Sequence, residues 1–203
     1  MQYSDLNRIL GNIDLHLLDQ ILKGRYEPTM RLLDAGCGEG RNLPYFVRNG
    51  FDAWGVDADA GALRLLRMQG KRWGAAFDPE KFVEGNLTRL PFPPVSFDAI
   101  VCCAVLHFAQ DASHFFRMMD ELLRVLRPGG SLFISMNTSA EQGSALFEVR
   151  SNADAASEKD FLLLTPALLE QLVSRYSFRW LEPLRTVQVN GKLAQSILVL
   201  KKS

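Results

Sequence analysis

The chain has 203 residues, and its 23 basic and 23 acidic side chains leave no formal net charge at neutral pH. A chain of this length buries roughly 70% of its unfolded surface, which is enough for one substantial core. Because no global positive field attracts polyanions, the composition argues against nucleic acid and anionic membranes as partners. No linker interrupts the sequence, so we expect one domain over residues 1–203.

The cysteine content favours a reducing compartment, and we therefore expect a cytoplasmic protein. There are three cysteines, two of them adjacent at positions 102 and 103, which argues against a disulfide framework. We expect no secretory signal, and no apolar run of about 18 residues is present to span a bilayer. Neither the cysteines nor the three histidines are spaced like metal ligands, so we expect no bound metal.

Helical and extended patterns alternate along the chain, which predicts an α/β fold with a mostly parallel sheet covered on both faces. The N-terminal residues, 1–30, are expected to form a helical lid. Helices are predicted at residues 4–23, 41–49, from 60 towards 77, and 111–127, where Pro128-Gly129-Gly130 ends the helix. Strands are predicted at residues 31–35, 52–57, 81–84, 97–103 and 131–136.

The pattern changes after residue 137. Residues 138–160 are polar and Ala-rich without a clear period, and we interpret them as a flap. Thr165 and Pro166 are typical of the N-cap and first position of a helix. The last two strands are predicted at 178–189 and 193–201, joined by a hairpin turn at Asn190-Gly191.

The most informative stretch is LLDAGCGEG, residues 32–40, where an apolar strand leads into a glycine-rich turn. Gly36, Gly38 and Gly40 alternate where the backbone turns sharply and a ligand approaches closely. A dinucleotide fingerprint needs its third glycine at the position of Arg41, and a P-loop needs a Lys-Ser/Thr pair that is absent here. Both phosphate-binding interpretations are therefore weakened, and a merely structural corner is the alternative.

With Asp34 before the turn and Cys37 within it, this stretch resembles motif I of the class I S-adenosylmethionine-dependent methyltransferases. The resemblance implies S-adenosyl-L-methionine as the cofactor. It also implies cofactor contacts from five residues of the motif: Asp34, Gly36, Cys37, Gly38 and Gly40. Cys37 has a simpler explanation as well, because the turn requires a small side chain.

Asp57 lies 17 positions after Gly40, at the expected end of the second strand. In nucleotide-binding α/β folds, a carboxylate there accepts hydrogen bonds from the ribose hydroxyls. The alternative role is to cap the next helix, but Asp59 is the better cap and leaves Asp57 free. The resemblance adds Ala58 as a neighbouring cofactor contact.

Residues 81–108 would contain the third strand, the adenine loop and the fourth strand of the family. Asn86 stands where the family usually has Asp; its amide oxygen can accept from the adenine amino group, but without a charge. Leu87 would offer a backbone N–H to adenine, and an apolar floor is expected from Leu90, Pro91 and Phe92. Further cofactor contacts are implied at the end of the fourth strand, from Cys103 and Ala104.

Together with the helix, turn and strand at 121–137, these markers cover about half of the chain. The architecture predicted in full is a single Rossmann-like methyltransferase domain. It has a mostly parallel seven-stranded sheet, helices on both faces and a C-terminal antiparallel hairpin.

The implied reaction is in-line attack of an acceptor atom on the sulfonium methyl, which requires mainly positioning and exclusion of water. A general base is needed only for a protonated acceptor such as an alcohol or phenol. His107 is the best candidate because it follows the fourth strand, at the edge where open α/β sheets bind ligands; a packing role is the alternative. Weaker candidates for substrate contacts are Tyr3, Arg8 and Arg41.

After the fourth strand, many amino-group methylases of DNA, RNA and protein have an Asn-Pro-Pro-Tyr motif, whereas this chain has CCAVLHF. A small-molecule acceptor is therefore favoured. The stretches GEGRN and FLLLTPALLEQLV are similar to bacterial enzymes of the tellurite-resistance and thiopurine type. We expect a monomer or homodimer. Two alternatives remain: an NAD(P)-dependent oxidoreductase, which would share Asp57, and a non-catalytic S-adenosylmethionine-binding partner protein.

Overall fold

The computed structural model describes residues 9–138, 161–189 and 193–203. The predicted flap, the residues Tyr3 and Arg8, and the Asn190-Gly191 turn lie wholly or almost wholly outside these ranges. The described helices are α1 (Leu15–Leu22), α2 (Leu43–Arg48), α3 (Ala60–Gly70), α4 (Ala112–Val125) and α5 (Pro166–Arg175). The strands are β1 (Arg31–Ala35), β2 (Asp52–Asp57), β3 (Phe82–Glu84), β4 (Phe97–Cys103), β5 (Leu126–Thr138), β6 (Phe178–Trp180), β7 (Arg185–Val189) and β8 (Leu193–Lys202).

The strands form one mixed sheet in the order β3-β2-β1-β4-β5-β8, with β6 and β7 both pairing with the far side of β8. Strands β1 to β5 are mutually parallel, and β8 runs antiparallel to β5. The chain adds β2 and β3 on one side of β1, and then β4 and β5 on the other side, so the strand order reverses between β1 and β4. In open α/β sheets ligands bind beyond the carboxyl ends of the strands at such a switch point.

Helices cover both faces of the sheet, because neighbouring residues of a strand point to opposite sides. Leu33 of β1 packs in a core with Phe115 and Leu122 of α4. Leu32 faces the other core, which α1, α2 and α3 cover with Leu17, Phe46 and Leu63 respectively. The predicted fold class is therefore confirmed.

The third helix begins at Ala60 as predicted and ends at Gly70, so its pattern does not carry it on to Phe77. A Cβ atom at Gly70 would lie 2.2 Å from the Phe77 ring, so the chain turns back and packs that ring on the helix end. Phe77 then stacks on Phe82 of β3, with ring centroids 5.3 Å apart. This tertiary contact overrides the local helical pattern.

The helix before β5 also ends earlier than predicted, at Val125, and β5 begins at Leu126. Leu126 pairs with Phe97, whereas the next paired residue, Ser131, faces Ala99. The intervening Pro128-Gly129-Gly130 segment therefore forms a bulge in the strand, and it does not end the helix. Gly129 has φ +73°, which explains the glycine there.

The predicted helix 4–23 is interrupted within the described residues: residues 9–10 are helical, and α1 begins only at Leu15. Asp14 caps α1 by accepting hydrogen bonds from His16 N and Leu17 N. The predicted strand 178–189 is divided into β6 and β7, which accounts for the eighth strand.

Glu182, between β6 and β7, accepts hydrogen bonds from Lys23, Arg25 and Arg185. Burial alone would raise the Glu182 pKa, but these bonds lower it to about 2. The carboxylate thus fastens the region around α1 to the antiparallel edge.

Candidate active site

The glycine-rich turn between β1 and α2 is held against the end of β2 by backbone hydrogen bonds. The amides of Gly36 and Cys37 both donate to the carbonyl of Val56, at 2.8 and 3.0 Å. The amide of Gly38 donates to Asp57 Oδ2 at 2.7 Å. The structure therefore places the turn and the acidic residue of β2, which are distant in sequence, in direct contact.

All three glycines of the turn have positive φ, but the three positions require glycine for different physical reasons. A Cβ at Gly36 would lie 2.3 Å from Val105 Cγ2, and one at Gly40 would lie 2.6 Å from the Trp73 ring. A Cβ at Gly38 would meet nothing within 4 Å. Packing therefore requires Gly36 and Gly40, whereas Gly38 borders open space that a ligand can enter.

Asp57 is already engaged through both carboxylate oxygens. Oδ2 accepts from Gly38, and Oδ1 accepts from the Asp59 amide at 2.9 Å. A carboxylate has about four lone-pair sites, so each oxygen retains capacity for one ligand hydroxyl. Asp59 caps α3 by accepting from Gly61 N and Ala62 N, as predicted, while Ala58 between the two acidic residues is exposed.

Asp34 is the most unusual polar group of this edge. It lies near the end of β1 with 2% of its surface exposed, and neither carboxylate oxygen has a hydrogen-bond partner in the described structure. Burial raises its pKa to about 7, with Arg41 opposing and Asp57 adding to the shift. Buried polar groups normally have partners, so this carboxylate can accept a hydrogen bond from a ligand donor.

The loop after β3 lies beside Asp57, because the Gly85 amide donates to the Asp57 carbonyl at 2.9 Å. Asn86 is exposed, and its Oδ1 accepts from both the amide and the hydroxyl of Thr88, each at 2.9 Å. Leu87 is 5% exposed. The structure thus brings Asn86 and Leu87 to the same edge as the turn, with the Asn86 oxygen already used locally.

The end of β4 approaches the turn from the other side. Ala104 has φ +58°, a conformation that costs a non-glycine residue energy and often occurs at functional sites. Its amide donates to the Ser135 carbonyl of β5 at 2.8 Å, and Val105 packs on Gly36. Cys103, the last residue of β4, is 7% exposed.

His107 follows in a short 3₁₀ turn, Leu106–Phe108, and is 6% exposed. Its Nδ1 has no hydrogen-bond partner within the described residues. Burial lowers its pKa from the ordinary 6.5 to about 4. The imidazole is therefore neutral at pH 7, in a protonation state that can accept a proton.

Three residues at this edge were not predicted from the sequence: Asp14, Val105 and Phe161. Asp14 pairs with the predicted candidate Arg41, with Oδ2 and Nη2 3.8 Å apart, and its amide donates to Asn42 Oδ1 at 3.0 Å. The capping pattern before α1 was the available signal for Asp14. No local pattern indicates that Val105 touches Gly36, or that Phe161 packs on His107.

The described residues contain no group of three or more His, Cys, Asp or Glu side chains that could hold a metal ion. Burial raises the pKa of the Cys37 thiol well above its ordinary value, which favours the structural role of that residue over a reactive one. Among the helices in the described ranges, none has the length and apolar character needed to cross a membrane.

A glycine-rich turn beside an acidic residue at a switch point defines a nucleotide-binding α/β domain. A family model described as a methyltransferase domain matches residues 33–134, half of the chain. The chain therefore belongs to the methyltransferase domain family, as the resemblance of its motifs predicted.

Similar curated proteins include the ubiquinone biosynthesis O-methyltransferase of Xylella fastidiosa, 31% identical over 119 residues, or 58% of this chain and 46% of that protein. The demethylmenaquinone methyltransferase of Renibacterium salmoninarum is 32% identical over 108 residues, covering 53% and 41% respectively. The chain thus spans about half the length of the curated relatives it matches.

Solved structures show the same fold at low sequence identity. One is the Burkholderia thailandensis 1,6-didemethyltoxoflavin-N1-methyltransferase with bound 1,6-didemethyltoxoflavin and S-adenosylhomocysteine: TM-score 0.72, 20% identity, covering 99% of this chain and 83% of that chain. Another is the [4+2]-cyclase SpnF: TM-score 0.69, 20% identity, covering 92% and 80%. The fold therefore occurs in proteins named for different reactions.

Proposed function

We propose that this protein is an S-adenosylmethionine-dependent methyltransferase that acts on a small-molecule acceptor. The observation that carries the proposal is the pair of carboxylates beside the open side of Gly38. Asp57 retains acceptor capacity for a diol, and Asp34 is a buried acceptor without a partner. S-adenosylmethionine carries a ribose diol and an ammonium group, which match these two acceptors.

Asp57 would serve the ribose of either cofactor, but Asp34 disfavours a nicotinamide dinucleotide. A pyrophosphate at the turn would bring negative charge towards the buried Asp34, and the side chain of Arg41, which follows the turn, is paired with Asp14. The missing third glycine of the dinucleotide fingerprint points the same way. Membership of the methyltransferase domain family further supports methyl transfer over hydride transfer.

We assign the cofactor contacts by group. The ribose is assigned to Asp57 with Ala58, the adenine to Asn86 and the Leu87 amide, and the ammonium to Asp34. The remaining contacts are assigned to the turn and the end of β4: Gly36, Cys37, Gly38, Gly40, Cys103 and Ala104. When bound, S-adenosylmethionine supplies an electrophilic methyl group on a sulfonium, which an acceptor atom attacks in line.

The contribution of the chain is to position the acceptor, to exclude water and, for a hydroxyl acceptor, to take up a proton. Positioning by a rigid sheet edge reduces the entropy cost of aligning the reacting atoms. His107 is the proposed proton acceptor, because it is buried near Val105, which touches the turn. Its lowered pKa keeps the imidazole neutral at physiological pH.

The first experiment is calorimetric titration of the protein with S-adenosylmethionine, S-adenosylhomocysteine and NADH. We expect micromolar Kd values for the first two, with the product bound at least as tightly, and no binding of NADH. Binding of NADH without S-adenosylmethionine would overturn the cofactor assignment and support the oxidoreductase alternative.

The second experiment measures release of S-adenosylhomocysteine with phenols, thiols, amines and metalloid oxyanions as acceptors. Turnover with one of these classes is expected. If the protein binds cofactor but is inert to all of them and active on bulk RNA or protein, the small-molecule assignment fails. A protein that binds cofactor but transfers no methyl group, and that copurifies with another enzyme, would instead be the non-catalytic partner.

A further inference from the structure

We infer that His107, Phe108 and Phe161 form an acceptor-binding cluster selective for a planar, uncharged aromatic hydroxyl compound. The inference rests on the proposed function and names the acceptor class for that site. The three rings contact one another pairwise. The centroid distances are 4.6 Å for His107–Phe108, 5.1 Å for His107–Phe161 and 5.3 Å for Phe108–Phe161.

Two segments that are far apart in sequence build this aromatic cluster. The turn at Leu106–Phe108 follows β4, and Phe161 comes shortly before α5. The Leu162 amide donates to the His107 carbonyl at 2.8 Å, and the Leu164 amide donates to the Asn137 carbonyl at 2.9 Å. These bonds fix the second segment at the carboxyl ends of β4 and β5.

The aromatic cluster lies beside the proposed cofactor site. Val105, two residues before His107, packs directly on Gly36 of the glycine-rich turn. The cluster also has a surface that a ligand can reach, because Phe108 is 51% exposed while its neighbour His107 is buried. An incoming flat ring can therefore extend the existing edge-to-face and tilted contacts.

The buried imidazole supplies the polar recognition within this apolar setting. His107 Nδ1 is enclosed without a hydrogen-bond partner among the described residues, so a hydrogen bond with a ligand hydroxyl would satisfy it. A hydroxyl group can both donate and accept a hydrogen bond, so it suits either tautomer of the ring. The acceptor class that matches rings and imidazole together is a phenol.

The charge of the site argues against anionic acceptors. None of the ion pairs in the described ranges involves residues 104–110 or 161–164. Burial is the cause of the lowered His107 pKa, so the imidazole offers no positive charge at neutral pH. A thiolate or metalloid oxyanion would lose its hydration here without an ion-pair partner among the described residues 104–110 and 161–164.

The test is a calorimetric measurement of the Kd for 2-naphthol, with the protein saturated with S-adenosylhomocysteine. We compare wild type with Phe161→Leu and Phe108→Leu, which remove a ring but keep an apolar side chain. Phe178→Leu, on strand β6 at the antiparallel edge, is the matched control. We expect each cluster variant to raise the Kd for 2-naphthol by about threefold to tenfold, while the control leaves it unchanged.

Charge is tested with 2-naphthoate and selenite, which we expect to bind at least about tenfold more weakly than 2-naphthol. Unchanged 2-naphthol affinity in both cluster variants, or tighter binding of either anion, would overturn the inference. Because Phe108 is half-exposed, its variant should fold even if Phe161→Leu is destabilised. If S-adenosylhomocysteine itself does not bind, the proposed function fails, and the same titrations without it still test the cluster.

Discussion

The two sides of the candidate active site are built in different ways. At the ends of β1 and β2, the cofactor side consists of backbone amides, positive-φ glycines and carboxylates joined by short hydrogen bonds. At the ends of β4 and β5, the acceptor side consists of aromatic side chains around one imidazole. A site made from backbone tolerates few changes, whereas a site made from side chains can be altered without changing the fold.

The two sides nevertheless share one electrostatic feature. Burial raises the pKa of Asp34 to about 7 and lowers that of His107 to about 4. Both shifts favour the neutral form, as desolvation requires. An ammonium ligand beside Asp34 would restore its charge, whereas the acceptor side remains neutral. The comparison therefore predicts ionic recognition on one side and apolar recognition on the other.

The largest expected effect is on the cofactor side, from Gly38→Val. We expect it to abolish cofactor binding in a folded protein, because a β-branched side chain enters the open space beside the turn. Gly50→Val is the matched control, since Gly50 also has positive φ and nothing within 4 Å of an added Cβ, but lies just before β2 at the opposite edge. Circular dichroism and calorimetry measure folding and binding for both variants.

Both glycine variants carry comparable left-handed backbone strain, of order 1–2 kcal/mol, so their losses of thermal stability should be similar. Only the affinity for cofactor should separate them. Normal binding by Gly38→Val would reduce the turn to a structural corner, and the contrast between the two sides would disappear.

The next largest effect is on the acceptor side, from His107→Ala. With a hydroxyl acceptor we expect kcat to fall by roughly 10²–10⁴-fold, as is typical for loss of a general base, while cofactor affinity is unchanged. With a thiol or metalloid oxyanion the loss should stay below about tenfold, because no base is needed. The ratio of the two losses, measured by S-adenosylhomocysteine release, reports whether the imidazole takes part in proton transfer.

The pH dependence sharpens this experiment. An ordinary imidazole would lose activity as pH falls through about 6.5. Burial lowers the His107 pKa to about 4, so the base stays deprotonated above that value and activity is lost only as pH falls through about 4. An acid limb near pH 6.5 that disappears in His107→Ala would show that the ring is more hydrated during turnover.

Asp57→Ala should weaken binding of S-adenosylmethionine and its demethylated product, with about tenfold as the least loss expected. Two charge-assisted hydrogen bonds, each worth about 1.5–3 kcal/mol, are lost, and this sets an upper limit of about 10⁴-fold. Asp59→Ala is the control, because it removes the cap of α3 at a cost of about 1 kcal/mol without removing the Asp57 carboxylate. Equal affinities in wild type and Asp57→Ala would refute the ribose assignment.

Asp57 also holds the turn through Gly38, so the alanine variant combines two losses. Asp57→Asn separates them, since one amide oxygen can keep a single backbone bond. An affinity between those of wild type and Asp57→Ala would show that turn and ribose both depend on the carboxylate.

The contrast between the two sides also explains what could be predicted from sequence. Strand β4 was predicted with its actual bounds, and the glycine-rich turn was recognised, because both depend on local patterns of apolar residues and glycines. The end of α3 at Gly70 and the bulge at Pro128-Gly129-Gly130 depend on partners in other elements. Local propensity cannot reveal such contacts.

The same limit applies to the site. Asp57 and the turn are 17 positions apart, a spacing that βαβ geometry determines, so the contact with Gly38 was foreseeable. The partners of His107 were not, since Phe161 lies 54 positions further along the chain. The lowered pKa of His107 follows from burial that no local motif encodes.

The smallest effect tests the least typical residue of the cofactor side, Asn86. Its Oδ1 already accepts two hydrogen bonds from Thr88, so neither of its two lone pairs is left for the adenine amino group. In Asn86→Asp, one oxygen can keep the Thr88 bonds while the other becomes an acceptor for the adenine amino group. We expect cofactor binding to tighten by about 1 kcal/mol, roughly fivefold in Kd by calorimetry.

Thr88→Ala is the control for this prediction, because it removes the hydroxyl that holds Asn86 and keeps the backbone bond. Its affinity should change by less than that of Asn86→Asp, since the amide oxygen then has only one competing donor. Weaker binding in Asn86→Asp would mean that the amide nitrogen donates to the adenine ring. The cofactor side would then recognise adenine through a side-chain donor. In that case both sides would use side chains for recognition, and they would differ only in the charge of the groups that bind the ligand.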